Sequence, residues 1–188
     1  MVRKHHFHIS IQEYYRRGKE NLFPQIYNCP NPECAYEGRL RFHGFYSRNV
    51  LTMNETLVIF IKRYFCPDCR KTVSLQPSFV LFRFQYTFPF IFYTLVQKII
   101  HKRPPIQIVQ TIKTLFTERK EFSRQHIVFY QKRFMEHHTL VIGFFSSKEC
   151  LAPDNTLPAV IEQIRRYGLS LFNLEYSPYL NKHFLSKI

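Results

Sequence analysis

The sequence predicts an α+β fold, in which a small three-stranded zinc ribbon precedes a mostly helical, helix-turn-helix-like region. Two short-spaced cysteine pairs enclose two strand-like segments, an arrangement typical of a ribbon built around one metal ion. Beyond Pro77 the apolar residues recur at spacings of three and four instead of two, which indicates amphipathic helices. The chain has 188 residues, of which 45% are hydrophobic, so it has enough apolar surface to form a folded core.

The two cysteine pairs are Cys29-Pro-Asn-Pro-Glu-Cys34 and Cys66-Pro-Asp-Cys69. Each spacing is short enough for one tight turn to direct two sulfurs at one point, and backbone N–H groups beyond the turn can donate to those sulfurs. Zinc prefers four tetrahedral ligands and binds thiolates well. We therefore predict one structural Zn²⁺ held by all four cysteines, with no open position for catalysis. Two disulfides, or free thiols in the core, are the alternatives.

The ribbon is predicted to cover residues 25–80. Segments 39–48 and 56–65 are rich in aromatic and β-branched residues, and residues 53–55 form a plausible turn between them. Residues 71–75 are predicted as the third strand. The preceding residues, 1–24, are predicted to form a basic amino-terminal arm.

Three helices are predicted within a helix-turn-helix-like module over residues 86–140. The first helix begins at Phe88 and stops at the basic and proline-rich segment 101–105, and the second begins at Pro105. The third has Ser123 as its N-cap and is predicted to end at the histidines 137 and 138. Residues 141–188 follow as a C-terminal helix, over 157–167, and an apolar tail that docks on the rest of the protein.

The third helix has two distinct faces. Phe122, just before its N-cap, is predicted to pack on Ile127 as a hydrophobic staple. A helical wheel directs one set of side chains to the core: Ile127, Tyr130, Phe134 and, at the margin, Met135. The opposite set consists of Gln125, Phe129, Lys132, Arg133 and Glu136.

The charge of the chain favours a polyanionic partner, because 27 Lys and Arg residues against 13 Asp and Glu give a formal net charge of +14. A cationic surface that serves only for solubility is the alternative. The candidate phosphate contacts on the ribbon are Arg39, Arg41, Arg48, Lys62 and Arg63. The candidates in the helical module, where Gln125 and Arg133 would read base edges, are Arg119, Lys120, Arg124, Gln125, Lys132 and Arg133.

The sequence argues against an enzyme. Only two aspartates occur, Asp68 and Asp154, and the glutamates are scattered singly, whereas metal-dependent nucleases cluster several carboxylates. No secretory signal opens the chain, and its longest uncharged apolar run is about half of a bilayer span. We therefore expect a cytoplasmic protein with no catalytic residue, no membrane association and no small-molecule substrate.

Three segments of the chain resemble a known group of proteins. These are the run from Cys29 through Arg39, the run His43-Gly-Phe-Tyr-Ser-Arg48, and the run from Arg63 to Ser74. They are similar to the amino-terminal zinc ribbon of bacterial insertion-sequence transposases, and closer still to short bacterial proteins that carry the same ribbon. The ribbon motif covers about a quarter of the chain. Residues 79–140 resemble the helical segment that follows the ribbon in those proteins.

The resemblance implies that the four cysteines are metal ligands. It implies no catalytic residue, since the chain lacks the length and the aspartates for the separate RNase H-like domain of those transposases. The sequence thus predicts a transposase-derived, zinc-dependent DNA-binding protein. The alternative is a zinc-ribbon assembly module that binds another protein, such as an intact transposase or a second copy of the chain.

Overall fold

The computed structural model describes residues 1–116, 121–148, 154–180 and 185, and it shows an α+β fold with a four-stranded sheet and six α-helices in that part of the chain. The strands are β1 (Val2–His5), β2 (Arg41–Leu51), β3 (Thr56–Phe65) and β4 (Thr72–Pro77), in the sheet order β1-β4-β3-β2. The helices are α1 (Ile11–Arg17), α2 (Phe88–Ile99), α3 (Pro105–Leu115), α4 (Arg124–Ser147), α5 (Leu157–Tyr167) and α6 (Leu169–Leu180).

The central hairpin of the sheet follows the sequence pattern closely. Strands β2 and β3 are antiparallel, and β3 pairs in the same sense with β4. The turn between β2 and β3 is closed by Thr52 and Glu55, which exchange backbone and side-chain hydrogen bonds. Along β3, Leu57, Ile59 and Ile61 are buried at alternate positions, as expected for a strand with one covered face.

The prediction of three strands is wrong, because the sheet has a fourth strand, β1. This strand lies within residues 1–24, for which the sequence predicts a basic arm, and it pairs in parallel with β4 through Val2↔Ser74 and Lys4↔Gln76. The next element, α1, is capped by the Ser10 side chain and packs on β3 through the buried Tyr14, whose hydroxyl donates to the Phe60 carbonyl. A four-residue strand of sequence Val-Arg-Lys-His has too little apolar pattern to be recognised without its distant partner.

Helix α4 is longer than predicted. It continues through the two histidines to Ser147, since Val141, Phe144 and Phe145 extend its buried stripe by more than two turns. His137 is fully buried within the helix, and its Nδ1 lies 3.0 Å from the hydroxyl of Tyr176 on α6. Met135, predicted at the margin of the core, is 53% exposed.

The helices and the sheet bury two apolar clusters. One cluster lies among α2–α6 and includes Phe122 and Ile127, both fully buried. The other lies around the sheet, α1 and the cysteine loops. In the described part of the chain, no helix is both long enough and apolar enough to cross a bilayer.

The segment that joins β4 to α2 ties the sheet to the helices through its backbone carbonyls. Lys4 Nζ donates to the carbonyl of Val80, and Asn173 Nδ2 on α6 donates to the carbonyls of Ser78 and Val80. Arg48 on β2 donates to the carbonyls of Leu81 and Phe84, at 2.6 and 2.5 Å. Side chains from β1, β2 and α6 therefore satisfy carbonyl groups that no strand or helix partner satisfies.

Candidate metal centre and cationic surfaces

The four cysteines converge, as the sequence predicts. The Sγ atoms of Cys29, Cys34, Cys66 and Cys69 all lie within 4.8 Å of one another. The Cys29–Cys69 and Cys34–Cys66 sulfur separations are 3.6 and 3.8 Å. None of these cysteines is in a disulfide, which leaves all four sulfurs free to act as ligands.

The sulfur spacing matches a tetrahedral metal site. Four thiolates about 2.3 Å from one ion lie roughly 3.8 Å apart along each edge of the tetrahedron. Two separations, 3.6 and 3.8 Å, are close to this value and none exceeds 4.8 Å, so the sulfurs lie near the positions that four ligands of one ion take. The donor set is four soft sulfur ligands in near-tetrahedral arrangement, which fits Zn²⁺.

Backbone amides in the two cysteine loops support the sulfurs. The N–H groups of Asn31, Tyr36 and Lys71 donate to the sulfurs of Cys29, Cys34 and Cys69, respectively. Of these contacts, the Lys71 N–H is the main reason that the pKa of Cys69 falls to about 7. Such amides also offset the negative charge of a four-thiolate site.

Two contacts made by neighbours of the cysteines were not predicted from the sequence. An Asp68 carboxylate oxygen accepts from Cys34 Sγ at 3.2 Å, and Lys71 Nζ lies 3.5 Å from a carboxylate oxygen of Glu33. The second contact joins the two cysteine loops, but its exposed position keeps its contribution to stability small. The sequence signal for both was their position inside or next to a cysteine pair.

The predicted phosphate contacts on the ribbon divide into an outer and an inner set. Arg39 and Arg41 are exposed. Lys62 is half-buried, and its Nζ lies 5.3 to 5.4 Å from the ring centres of Phe23, Phe42 and Tyr64. Burial, followed by the charge of Arg39, lowers the pKa of Lys62. Lys62 thus lies among three aromatic rings with the charge of Arg39 nearby, whereas Arg41 lies opposite Phe65, on the other face of the hairpin.

Arg48 and Arg63 form the inner set. Arg48 donates to two carbonyls of the β4–α2 segment, as described above, and burial lowers its pKa. The Arg63 guanidinium lies 5.8 Å from the centre of the Tyr46 ring. Its Nε is buried and has no hydrogen-bond partner among the described residues. In the β2–β3 register, Arg41, Arg48 and Arg63 lie on one face of the hairpin and Lys62 on the other, so the predicted contacts do not form one cationic strand face.

Helix α4 exposes most of the side chains predicted to face outward. Arg124, Gln125 and Lys132 are exposed, and the Gln125 amide oxygen accepts from Ser123 Oγ at 3.2 Å. Arg133 is half-buried, pairs with Glu136 at 2.8 Å and lies over the ring of Phe129. The other two predicted contacts of this region, Arg119 and Lys120, lie outside the described residues.

Comparison of the chain with known protein families, with curated proteins and with solved structures gives no match.

Proposed function

We propose that this protein is a zinc-dependent DNA-binding protein, derived from a transposase and without a catalytic centre of its own. Two observations support the proposal: the convergence of four cysteine sulfurs, and a cationic exposed face on α4. The DNA-binding part of the proposal rests on the α4 face, because this face presents groups of the kind that contact phosphates and bases.

The metal centre supports a structural role for zinc. Four thiolates fill the tetrahedral coordination of Zn²⁺ and leave no position for water or substrate. The cysteine loops hold their sulfurs in place through backbone amides, so the bound ion would fix the two loops and the ends of the β2–β3 hairpin relative to each other.

The exposed face of α4 supports contact with DNA. Arg124, Gln125 and Lys132 fall within about 100° of one another on the helical wheel, a spread that one groove of a duplex can accept. Among the described residues, no carboxylate lies within 4.0 Å of the cationic groups of Arg124 and Lys132. These two cations are therefore available for phosphates, and the Gln125 amide is available for an adenine edge.

The test is a titration of the zinc-loaded protein against labelled duplex DNA at two salt concentrations. Affinity should fall steeply with salt, and Lys132→Ala should weaken binding to all sequences alike and lower the salt slope by about 1. Gln125→Ala should instead relax the preference at one base position. Lys113→Ala, which removes an exposed lysine from α3, is the matched control. Equal effects of the lysine variants at 113 and 132 would contradict the assignment of α4.

A protein-assembly role is the second candidate, and one observation favours it. The same face of α4 also exposes Val128, Phe129 and Met135, at 54%, 43% and 53%. Exposed apolar groups on one helix face are typical of protein contacts. In that case duplex binding would be absent or insensitive to salt, and sedimentation would show either a homodimer or a complex with an intact transposase.

A further inference from the structure

A partly open groove runs between the β1 end of the sheet and helix α6. Its volume is about 1300 Å³. Met1, residues 2–4 of β1 and two residues of β4, Ser74 and Gln76, line one side. Leu174, Glu175, Ser177 and Pro178 of α6 line the other. Residues 28–30 of the first cysteine loop form a wall. Since typical small-molecule sites measure about 300–1000 Å³, this groove has room for an extended ligand.

Gln76 gives the groove an unused hydrogen-bonding group. Its side chain is 1% exposed and lines the groove, and its amide oxygen has no hydrogen-bond partner among the described residues. A buried polar atom without a partner destabilises the folded protein. Gln76 lines the groove but its oxygen is closed to water, so a ligand in the groove would pair with this oxygen once the amide turns outward.

The groove is cationic and carries aromatic rings. Arg3 and Lys148 line it, and Lys148 Nζ lies 2.5 Å from an oxygen of Glu175, the one carboxylate among the described lining residues. Lys4 also lines it, but its Nζ donates to Val80 and Asn173 inside the protein. Two rings also line it, those of Tyr46 and the 41% exposed Phe82. The Arg63 guanidinium, next to the Tyr46 ring, adds positive charge near the same wall.

We propose that this groove binds a short unpaired segment of a nucleic-acid strand, an inference that rests on the proposed DNA-binding function and adds a second contact to it. Exposed rings accept stacked bases of any sequence, arginine and lysine contact the phosphates, and the Gln76 amide accepts from an exocyclic amino group of a base. Bases inside an intact duplex are stacked on each other and do not reach such a site. An acidic peptide shares the attraction to cations but offers no planar group for the rings.

The experiment measures the binding of a fluorescein-labelled oligo-dA of ~8 nucleotides to the full zinc-loaded chain by fluorescence anisotropy. Adenine is the base chosen because its amino group can donate to the Gln76 oxygen. Gln76→Met keeps the shape of the side chain and removes the amide. It should weaken oligo-dA binding about tenfold and leave the melting temperature equal or higher, because the buried unpaired oxygen is gone. If Gln76 served only for folding, its replacement would not weaken oligo-dA binding while raising the stability of the protein.

Phe82→Ala is the second variant, and it should also weaken the oligonucleotide about tenfold through lost stacking. Tyr15→Ala, which removes an exposed ring from α1 outside the groove, is its matched control and should leave the affinity unchanged. Unchanged oligo-dA binding in both groove variants would overturn this inference. Displacement of the label by poly-glutamate but not by unlabelled oligo-dA would also overturn it, in favour of a peptide site.

The two proposals fail separately. If duplex binding depends on Lys132 while oligo-dA does not bind, the groove assignment is wrong and the proposed function stands. If oligo-dA binding depends on Gln76 while duplex binding is absent, the assignment of α4 is wrong and the groove stands.

Discussion

Lys4 should make the stability of this protein rise with pH between about 7 and 10.5. Its Nζ donates to the Val80 carbonyl and to Asn173 Oδ1, at 3.2 and 2.5 Å. Burial, followed by the charge of Arg48, lowers the pKa of Lys4 from its ordinary 10.5 to about 7. The unfolded chain therefore binds the proton more readily than the folded chain throughout this range, so each increase in pH favours the folded state.

The size of the effect follows from the two pKa values. A tenfold change in proton affinity corresponds to about 1.4 kcal/mol, so the penalty for the charged ammonium is at most about 5 kcal/mol below pH 7. Between pH 6 and pH 9, the free energy of unfolding should rise by about 2.5 kcal/mol from this one group. Above the ordinary pKa both states are neutral, and the penalty disappears.

The assay is urea unfolding of the zinc-loaded wild type and of Lys4→Met over that pH range. The difference between the two proteins cancels the titration of every other group. Lys113→Met, at an exposed lysine, serves as the control and should show the wild-type pH dependence. If the wild type and Lys4→Met show the same slope, Lys4 is charged in the folded protein at all these pH values, and the argument from burial is wrong.

Two further predictions concern the metal centre and the docking of α6. Exhaustive chelation, or Cys66→Ser, should abolish binding of one zinc ion per chain and unfold the cysteine loops, with a loss of folding free energy on the order of 10 kcal/mol. Metal analysis and circular dichroism measure this. A metal-free chain with unchanged structure would refute it. Asn173→Leu should lower the free energy of unfolding by about 2–3 kcal/mol, because the Ser78 carbonyl loses its donor inside the protein. Urea unfolding measures this against the exposed control Asn155→Leu. Equal stability of the two variants would count against the described docking of α6.

The features that the sequence predicted correctly depend on local information. The four cysteines converge because each pair lies in one tight turn and a single hairpin connects the two turns. The N-terminus of α4 was predictable because Ser123 and the apolar residues after it are neighbours along the chain.

The features that were not predicted depend on contacts between distant residues. Strand β1 exists because Val2 and Lys4 pair with β4 more than 70 residues later, and nothing in its own four residues indicates this. Arg48 has the same residue type as Arg41 and lies on the same face of the β2–β3 hairpin, but it lies where the β4–α2 segment covers that face. Strand alternation predicts which residues share a face, whereas the identity of what covers that face is a property of the whole fold.

The metal centre also affects the shape of the groove. The first cysteine loop, from residue 24 to residue 40, contributes only Ile26 and Leu40 to the buried apolar residues of the sheet cluster, apart from its cysteines. Backbone hydrogen bonds also cross the loop, from the Asn28 N–H to the Gly38 carbonyl and from the Cys29 N–H to the Tyr36 carbonyl. With so little apolar burial, thiolate ligation adds a further interaction that holds this loop in place. Because Asn28, Cys29 and Pro30 form a wall of the groove, the ion that fixes the cysteines also fixes the surface that faces the proposed nucleic-acid strand.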